Sequence, residues 1–377
     1  TREDVVEIDC HGGMVALQRV LELALREGAR LAGPGEFTLR AFLNGRIDLS
    51  QAESVIDVVR AQTEASLRVA VRQLEGGLAR EVRTVRAQVL DILAYLTATV
   101  DFSEDEIPPQ DLAVPLQEVV ARVEKLLSGA DAGIVYRQGV RTAIVGRPNV
   151  GKSSLLNALL REARAIVTAV PGTTRDTVEE VVNIQGVPIV LIDTAGITAT
   201  DDVVERMGVE RSRRAIEEAD LVLLVVDGSQ PLEDRDRVIA RLAGPKPALL
   251  VVNKSDLPQH PEEQRLVQFA AGRANVRVSA TEGSGLPELE DAIVSIVFAG
   301  ATRASDALLV SNPRHKDALN RARSSLKAAA GGLSEGTPAD CLTVDLTAAA
   351  NALGEITGET VGEDLLHAIF SRFCIGK

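Results

Sequence analysis

The sequence predicts a mixed, mostly parallel α/β domain inserted into an all-helical domain, and three observations carry that prediction. Short apolar strands alternate with helices between about residues 139 and 298, the mark of a largely parallel sheet covered by helices on both faces. Helical periodicity fills residues 35 to about 135 and returns after 301, so the α/β part interrupts a helical one. A Gly-x-x-x-x-Gly-Lys-Ser loop follows the first of those strands directly and opens a helix.

Taken in order, residues 4–10 (Asp-Val-Val-Glu-Ile-Asp-Cys) alternate as a half-buried strand, and Met14 to about Arg26 reads as an amphipathic helix. Residues 1–34 therefore look like the tail of a separate α/β unit. Between 35 and 135, positions such as Val55, Val58 and Val59 fall on one helical face, with breaks at Gly76-Gly77 and in the acidic, proline-bearing stretch from Asp101 to Pro109. The α/β domain is placed at 136–300. Helices are expected again over Asp306–Leu333, Ala339–Leu353 and Asp364–Phe373, within a last segment of 301–377 that ends Cys374-Ile375-Gly376-Lys377. Insertion of one domain into another is tolerated where the two ends of the host lie close together.

Bulk properties narrow the function classes. A net charge of −13 excludes a chain that coats nucleic acid through clustered Lys and Arg, so any RNA contact is local. No apolar run reaches the roughly 18 to 20 residues of a membrane helix, and a cytoplasmic protein is expected. Cys10, Cys341 and Cys374 are an odd number without metal-ligand spacing, and free thiols follow. Because the first residue is Thr rather than Met, further chain is expected upstream.

The chemistry is concentrated in four segments. Arg141–Val145 is a buried-strand pattern running into Gly146-Arg-Pro-Asn149-Val150-Gly151-Lys152-Ser153-Ser154. Glycines let backbone N–H groups curl around a β-phosphate, Lys152 brings a charge to the β- and γ-phosphates, and Ser153 offers a hydroxyl to Mg²⁺. Strands at Val178–Ile184 and Val187–Ile192 lead to Asp193-Thr194-Ala195-Gly196, where Asp193 is expected to reach the metal through water. A strand at Ala248–Val252 leads into Asn253-Lys254-Ser255-Asp256; the Asp256 carboxylate accepts from the ring N–H and exocyclic amine of guanine, donors that adenine lacks. Ser279-Ala280-Thr281 is the companion loop for the base oxygen.

The position after Gly196 holds Ile197, not the water-orienting Gln of Ras-like proteins. Asp201, Asp202 and Glu205 are candidate acids for that task, and position alone does not rank them. The loop Thr168-Ala169-Val170-Pro171-Gly172-Thr173-Thr174 is rich in hydroxyls and carbonyls, with Thr174 as second Mg²⁺ ligand.

These segments, with Gly172-Thr-Thr-Arg-Asp176, His11-Gly12-Gly13, Pro34-Gly35-Glu36-Phe37 and the terminal Cys-Ile-Gly-Lys, resemble the MnmE (TrmE) family of tRNA-modification GTPases along essentially the whole chain. The resemblance implies a Ras-like P-loop GTPase domain inserted in a helical domain, preceded by a fragment of a folate-binding domain. It implies hydrolysis stimulated by K⁺ as two GTPase domains meet, with K⁺ held by Asn149, Thr168, Val170 and Thr173, and with Glu205 as the water-positioning acid. It implies a homodimer, and work with the flavoprotein MnmG to install an aminomethyl or carboxymethylaminomethyl group on tRNA wobble uridine from a tetrahydrofolate one-carbon unit. Glu7, Arg46 and Lys377 would belong to the folate site, with Cys374 near the folate carbon as a catalytic candidate. A further arginine of that site falls upstream of residue 1, so folate binding and dimerisation are expected to be incomplete in this chain. The basic helix after residue 305 is a candidate tRNA face.

A rival class is a nucleotide-gated RNA-binding or ribosome-assembly switch of the Era or Der kind. Such chains carry a KH domain or a second GTPase domain, whereas helices and Cys-Ile-Gly-Lys occupy those positions here.

Overall fold

The computed structural model describes residues 1–101, 108–162, 180–192, 205–260, 269, 272–298, 310–374 and 376. The chain divides into two compact units, one of Thr1–Arg60, Ala70–Ser128 and Leu308–Lys377, the other of Ala61–Val69 and Gly129–Ala307.

The first unit is helical: α1 (Met14–Arg26), α2 (Glu36–Leu43), α3 (Leu49–Arg60), the end of α4 (Glu64–Leu74), α5 (Gly77–Asp101), α6 (Ala113–Ser128), α12 (Pro313–Glu335), α13 (Ala339–Thr357) and α14 (Glu363–Phe370). Val82, Val85, Val89 and Ile92 of α5 recur at helical spacing and are buried, as are Leu319, Ala322 and Leu326 of α12 and Leu342, Leu346 and Leu353 of α13. Helix α13 packs on α5 and α12, and α6 on α12. Local signals set the boundaries. Asp48 accepts from the Ser50 hydroxyl (2.6 Å) and the Gln51 amide (3.0 Å) while the Gln51 side chain accepts from the Asp48 amide (3.0 Å), a reciprocal cap that starts α3.

Three expectations change here. Residues 4–10 form no strand: Val6 is 85% and Ile8 65% exposed, because alternation makes a strand only where a neighbouring strand completes the ladder, and none pairs with them among the described residues. The helix expected from Asp306 begins at Pro313 instead, where the Asn312 side chain accepts from the Arg314 amide at 3.0 Å and Pro occupies the first turn; residues 301–309 lie outside the described ones. Helix α13 runs on to Thr357, past the expected Leu353.

The second unit is built on a six-stranded sheet in the order β2-β3-β1-β4-β5-β6, from β1 (Val140–Val145), β2 (Glu180–Ile184), β3 (Val187–Ile192), β4 (Leu221–Asp227), β5 (Ala248–Asn253) and β6 (Asn275–Arg277). Only β2 and β3 run antiparallel; the other pairings are parallel. Gln185 and Gly186, at φ 49° and 90°, supply the paired positive φ of a tight hairpin between them. Among the described residues the unit carries the helices α7 (Ala130–Gln138), α8 (Lys152–Glu162), α9 (Glu205–Glu218), α10 (Asp234–Ala243) and α11 (Leu286–Val297), with the first turns of α4. Every residue of β4 and β5 is buried, as parallel strands covered on both faces are. Alternate residues serve opposite faces: Leu223, Val225, Leu249 and Val251 pack with Leu155, Leu159 and Ile293, whereas Val222, Leu224, Leu250 and Val252 pack with Ile216 and Ile239.

Candidate nucleotide-binding site

Strand β1 lies between β3 and β4, so chain crossovers leave it in both directions. In open α/β sheets this switch point, at the carboxyl ends of the strands, is where ligands bind. The loop Gly146–Gly151 leaves β1 there and enters α8, whose first residue is Lys152.

The loop is held in a shape that side chains resist. A Cβ on Gly146 would meet the Val225 carbonyl oxygen at 2.3 Å, and one on Gly151, at φ 94°, would meet Asn253 Nδ2 at 2.1 Å. Asn149 itself is at φ 65° and exposed, an uncommon conformation outside glycine. Lys152 Nζ donates to the carbonyls of Gly146 (3.0 Å) and Arg147 (2.6 Å), which keeps its ammonium over the loop. Ser153 and Ser154 are exposed on the first turn of α8, the end of a helix at which backbone N–H groups and the dipole favour an anion.

The Asn253–Asp256 loop is joined to this one. Asn253, 2% exposed, donates through Nδ2 to the Val150 carbonyl (2.9 Å) and accepts at Oδ1 from the Ala280 amide (3.1 Å). One buried side chain therefore connects the Walker loop, the base-reading motif and the Ser279–Thr281 loop. The Ser255 amide donates to the Val278 carbonyl at 3.0 Å, and the Ser279 and Thr281 hydroxyls lie 3.0 Å apart. Asp256 is exposed beside this framework. Burial raises the pKa of Asp227, but hydrogen bonds from Lys254 and Ser229 outweigh it and leave the carboxyl below its usual range.

Arg147 was not a sequence-level candidate. Its Nε lies 2.9 Å from the buried Asp236 carboxylate, and it also pairs with Glu233, the two acids forming the capping box of α10. That pairing braces the Walker loop from outside. The only sequence signal was an Arg inside a glycine-rich loop.

Other expected residues fall elsewhere. Thr168 to Thr174, Asp193 to Gly196, Asp201, Asp202 and Lys377 lie outside the described residues, as does the side chain of Glu205, although Glu205 opens α9. Glu7 is exposed in a segment without regular structure. Arg46 is exposed on a cleft of about 560 Å³ that Asp48, Arg83 and Glu359 also line. Cys374 is exposed and free, as are Cys10 and Cys341. On the basic helix α12, Arg314 is paired to Glu53 (2.7 Å), Arg321 to Glu355 (2.5 Å) and Lys327 to Glu124 (2.6 Å), so much of its charge is used within the protein.

A Gly-x-x-x-x-Gly-Lys-Ser loop at the switch point of this sheet, locked to an Asn-Lys-x-Asp loop, defines a P-loop GTPase carried with a helical unit. Comparison with known proteins narrows the class. The family model for the MnmE helical domain matches residues 49–374, and that for the TrmE N-terminus matches residues 1–46. The chain is 57% identical to the tRNA modification GTPase MnmE of Chloroflexus aurantiacus, 54% to that of Roseiflexus sp. and 52% to that of Alkaliphilus metalliredigens. Each alignment covers 100% of this chain and 82–83% of the relative. The chain belongs to the family of tRNA modification GTPases MnmE. Among the described residues no helix is long and apolar enough to cross a membrane.

Proposed function

We propose that this chain binds GTP between the Gly146–Ser154 loop and the Asn253–Asp256 and Ser279–Thr281 loops, and hydrolyses it to drive modification of the wobble uridine of certain tRNAs. The observation that carries the reading is the Asn253 side chain, which joins all three loops into one site. In this reading Lys152 exchanges its loop carbonyls for the β- and γ-phosphates, backbone N–H groups of Val150 to Ser154 surround the β-phosphate, and Asp256 reads guanine.

The residues present suit hard cations, which take oxygen ligands. Ser153 is an exposed hydroxyl-bearing residue in the first turn of α8, next in sequence to Lys152, and Asn149 is an exposed amide-bearing residue of the loop. Mg²⁺ would be held by Ser153 and Thr174, with Asp193 through water, and K⁺ by Asn149 with the carbonyl oxygens of Thr168, Val170 and Thr173. Bound there, the cations neutralise charge developing on the phosphates. Glu205 orients the attacking water in place of the absent Gln.

The modification adds an aminomethyl or carboxymethylaminomethyl group at C5 of the uridine in partnership with MnmG, from a tetrahydrofolate one-carbon unit, in the cytoplasm. Glu7, Arg46 and Lys377 serve the folate site and Cys374 the chemistry near it; the family resemblance supports these assignments. The test is mass spectrometry of tRNA from cells depleted of the protein. The modified wobble uridine should disappear, and should return with the parent protein and not with Lys152→Ala. Modified uridine that persists on depletion would refute the reading.

A further inference from the structure

The base-reading motif has a partner that its consensus does not contain. Lys254 sits between Asn253, which grips the Walker loop, and the guanine reader Asp256. Its ammonium lies 2.6 Å from Asp227 Oδ2 at the end of β4. Asp227 is held for this contact from three sides. Its other oxygen, Oδ1, accepts from the Ser229 amide (2.9 Å) and the Ser229 hydroxyl (2.7 Å). Its backbone is in register with Asn253 across the β4–β5 ladder, and the next amide, that of Gly228, donates to the Asn253 carbonyl at 2.9 Å. The carboxylate is 7% exposed, against 32% for the Lys254 side chain, so the acid is an interior fixture and the lysine faces outward. Lys254 also holds φ at 63°, a left-handed conformation that persists in a non-glycine residue where its surroundings over-determine it.

A free lysine has a long stem with many rotamers, and a ligand resting on it must first order them. Here the Asp227 carboxylate fixes the ammonium at the end of that stem. We propose that Asp227 is a positioning residue for guanine nucleotide: by anchoring the Lys254 ammonium, it presents the lysine stem to the nucleotide already ordered, and Ser229 holds Asp227 in turn. The inference rests on the guanine-site reading above. Asp227 touches neither phosphate nor water in this scheme, so it acts on affinity and not on cleavage.

The test is stopped-flow release of fluorescent GDP and a GTP-binding titration on the full chain. Asp227→Asn keeps the shape and removes the charge. It should weaken GDP and GTP equally, by about tenfold, through faster release, with turnover at saturating GTP changing less than twofold. In a Lys254→Met background the same substitution should add less than a twofold loss, because the group it positions is gone. Ser229→Ala, which leaves the carboxylate in place, should give a smaller loss in the same direction and serves if Asp227→Asn fails to fold. An unchanged affinity in Asp227→Asn, or an undiminished tenfold loss in the Lys254→Met background, would overturn the proposal. Parent protein that binds ATP as tightly as GTP would instead overturn the guanine site on which it rests, a separable result.

Discussion

Asn253 Nδ2 lies 2.9 Å from the carbonyl oxygen of Val150, a residue 103 positions earlier in the chain. The loop that would hold phosphate and the loop that would hold the base are thus one rigid piece, because the same side chain also receives the Ala280 amide.

Asn253→Ala removes both bonds and leaves the buried Val150 carbonyl and the half-buried Ala280 amide without that partner. An unsatisfied buried group costs about 1–3 kcal/mol, so the expected loss in GDP affinity is roughly 30- to 700-fold for a net of about 2–4 kcal/mol. Isothermal titration of the parent and variant measures it. A loss under threefold would mean that the two loops are held together by something else.

Gly151→Ala attacks the same junction from the other side. The new methyl would stand 2.1 Å from Asn253 Nδ2, on backbone at φ 94°, and the backbone strain alone is worth about 1–3 kcal/mol. Denaturant unfolding should show that loss, with nucleotide binding reduced beyond detection. Alanine at Gly331, where nothing lies within 4 Å of the added carbon, is the control and should leave nucleotide binding intact.

In the helical unit, Glu53 is held by Arg314 and His315, each at 2.7 Å. Burial pushes its pKa up, but the His315 charge and the hydrogen bonds from His315 and Arg314 prevail and hold it at about 2, below the usual 4.5. A lowered carboxyl pKa gives stability that is full above pH 4.5 and is lost as the pH falls toward 2. Glu53→Gln should cost about 3–5 kcal/mol at pH 7, as removal of one partner from a buried pair does, and should flatten the loss of stability between pH 4.5 and 2. Chemical denaturation at pH 7 and pH 3 checks both. Equal pH dependence in parent and variant would remove Glu53 from the account.

Glu205→Ala should leave GTP binding intact and collapse hydrolysis, since the acid is assigned to orient water and not to hold nucleotide. Single-turnover hydrolysis with a parallel binding titration separates the two. Cleavage near the parental rate would return the role to Asp201 or Asp202.

Much of the candidate nucleotide site was legible in the sequence because the proposed chemistry depends on spacing within short loops: Gly146, Gly151, Lys152 and Asn253 are each picked out by a few neighbours. What joins those loops was not legible. The Asn253–Val150 bond, the Arg147–Asp236 pair and the Asp227–Lys254 pair depend on strand order, and strand order is set by crossovers that periodicity does not encode. The Glu53–Arg314–His315 cluster was hidden for a related reason: charged residues on a helix read as a solvated face, and their burial depends on partners 261 and 262 positions away. Residues 4–10 show the converse error, since alternation reports the polarity of two faces and says nothing of whether a neighbouring strand is present.

The central claim is that the loop carrying Asn149 and Lys152 cleaves guanine nucleotide with the help of a monovalent cation. Steady-state phosphate release, measured with GTP and with ATP in matched K⁺ and Na⁺ buffers, tests it most directly. The account predicts turnover of GTP and not of ATP, rising steeply when K⁺ replaces Na⁺. Comparable rates with the two nucleotides would contradict the base assignment, and equal rates in the two salts would contradict the role of the cation.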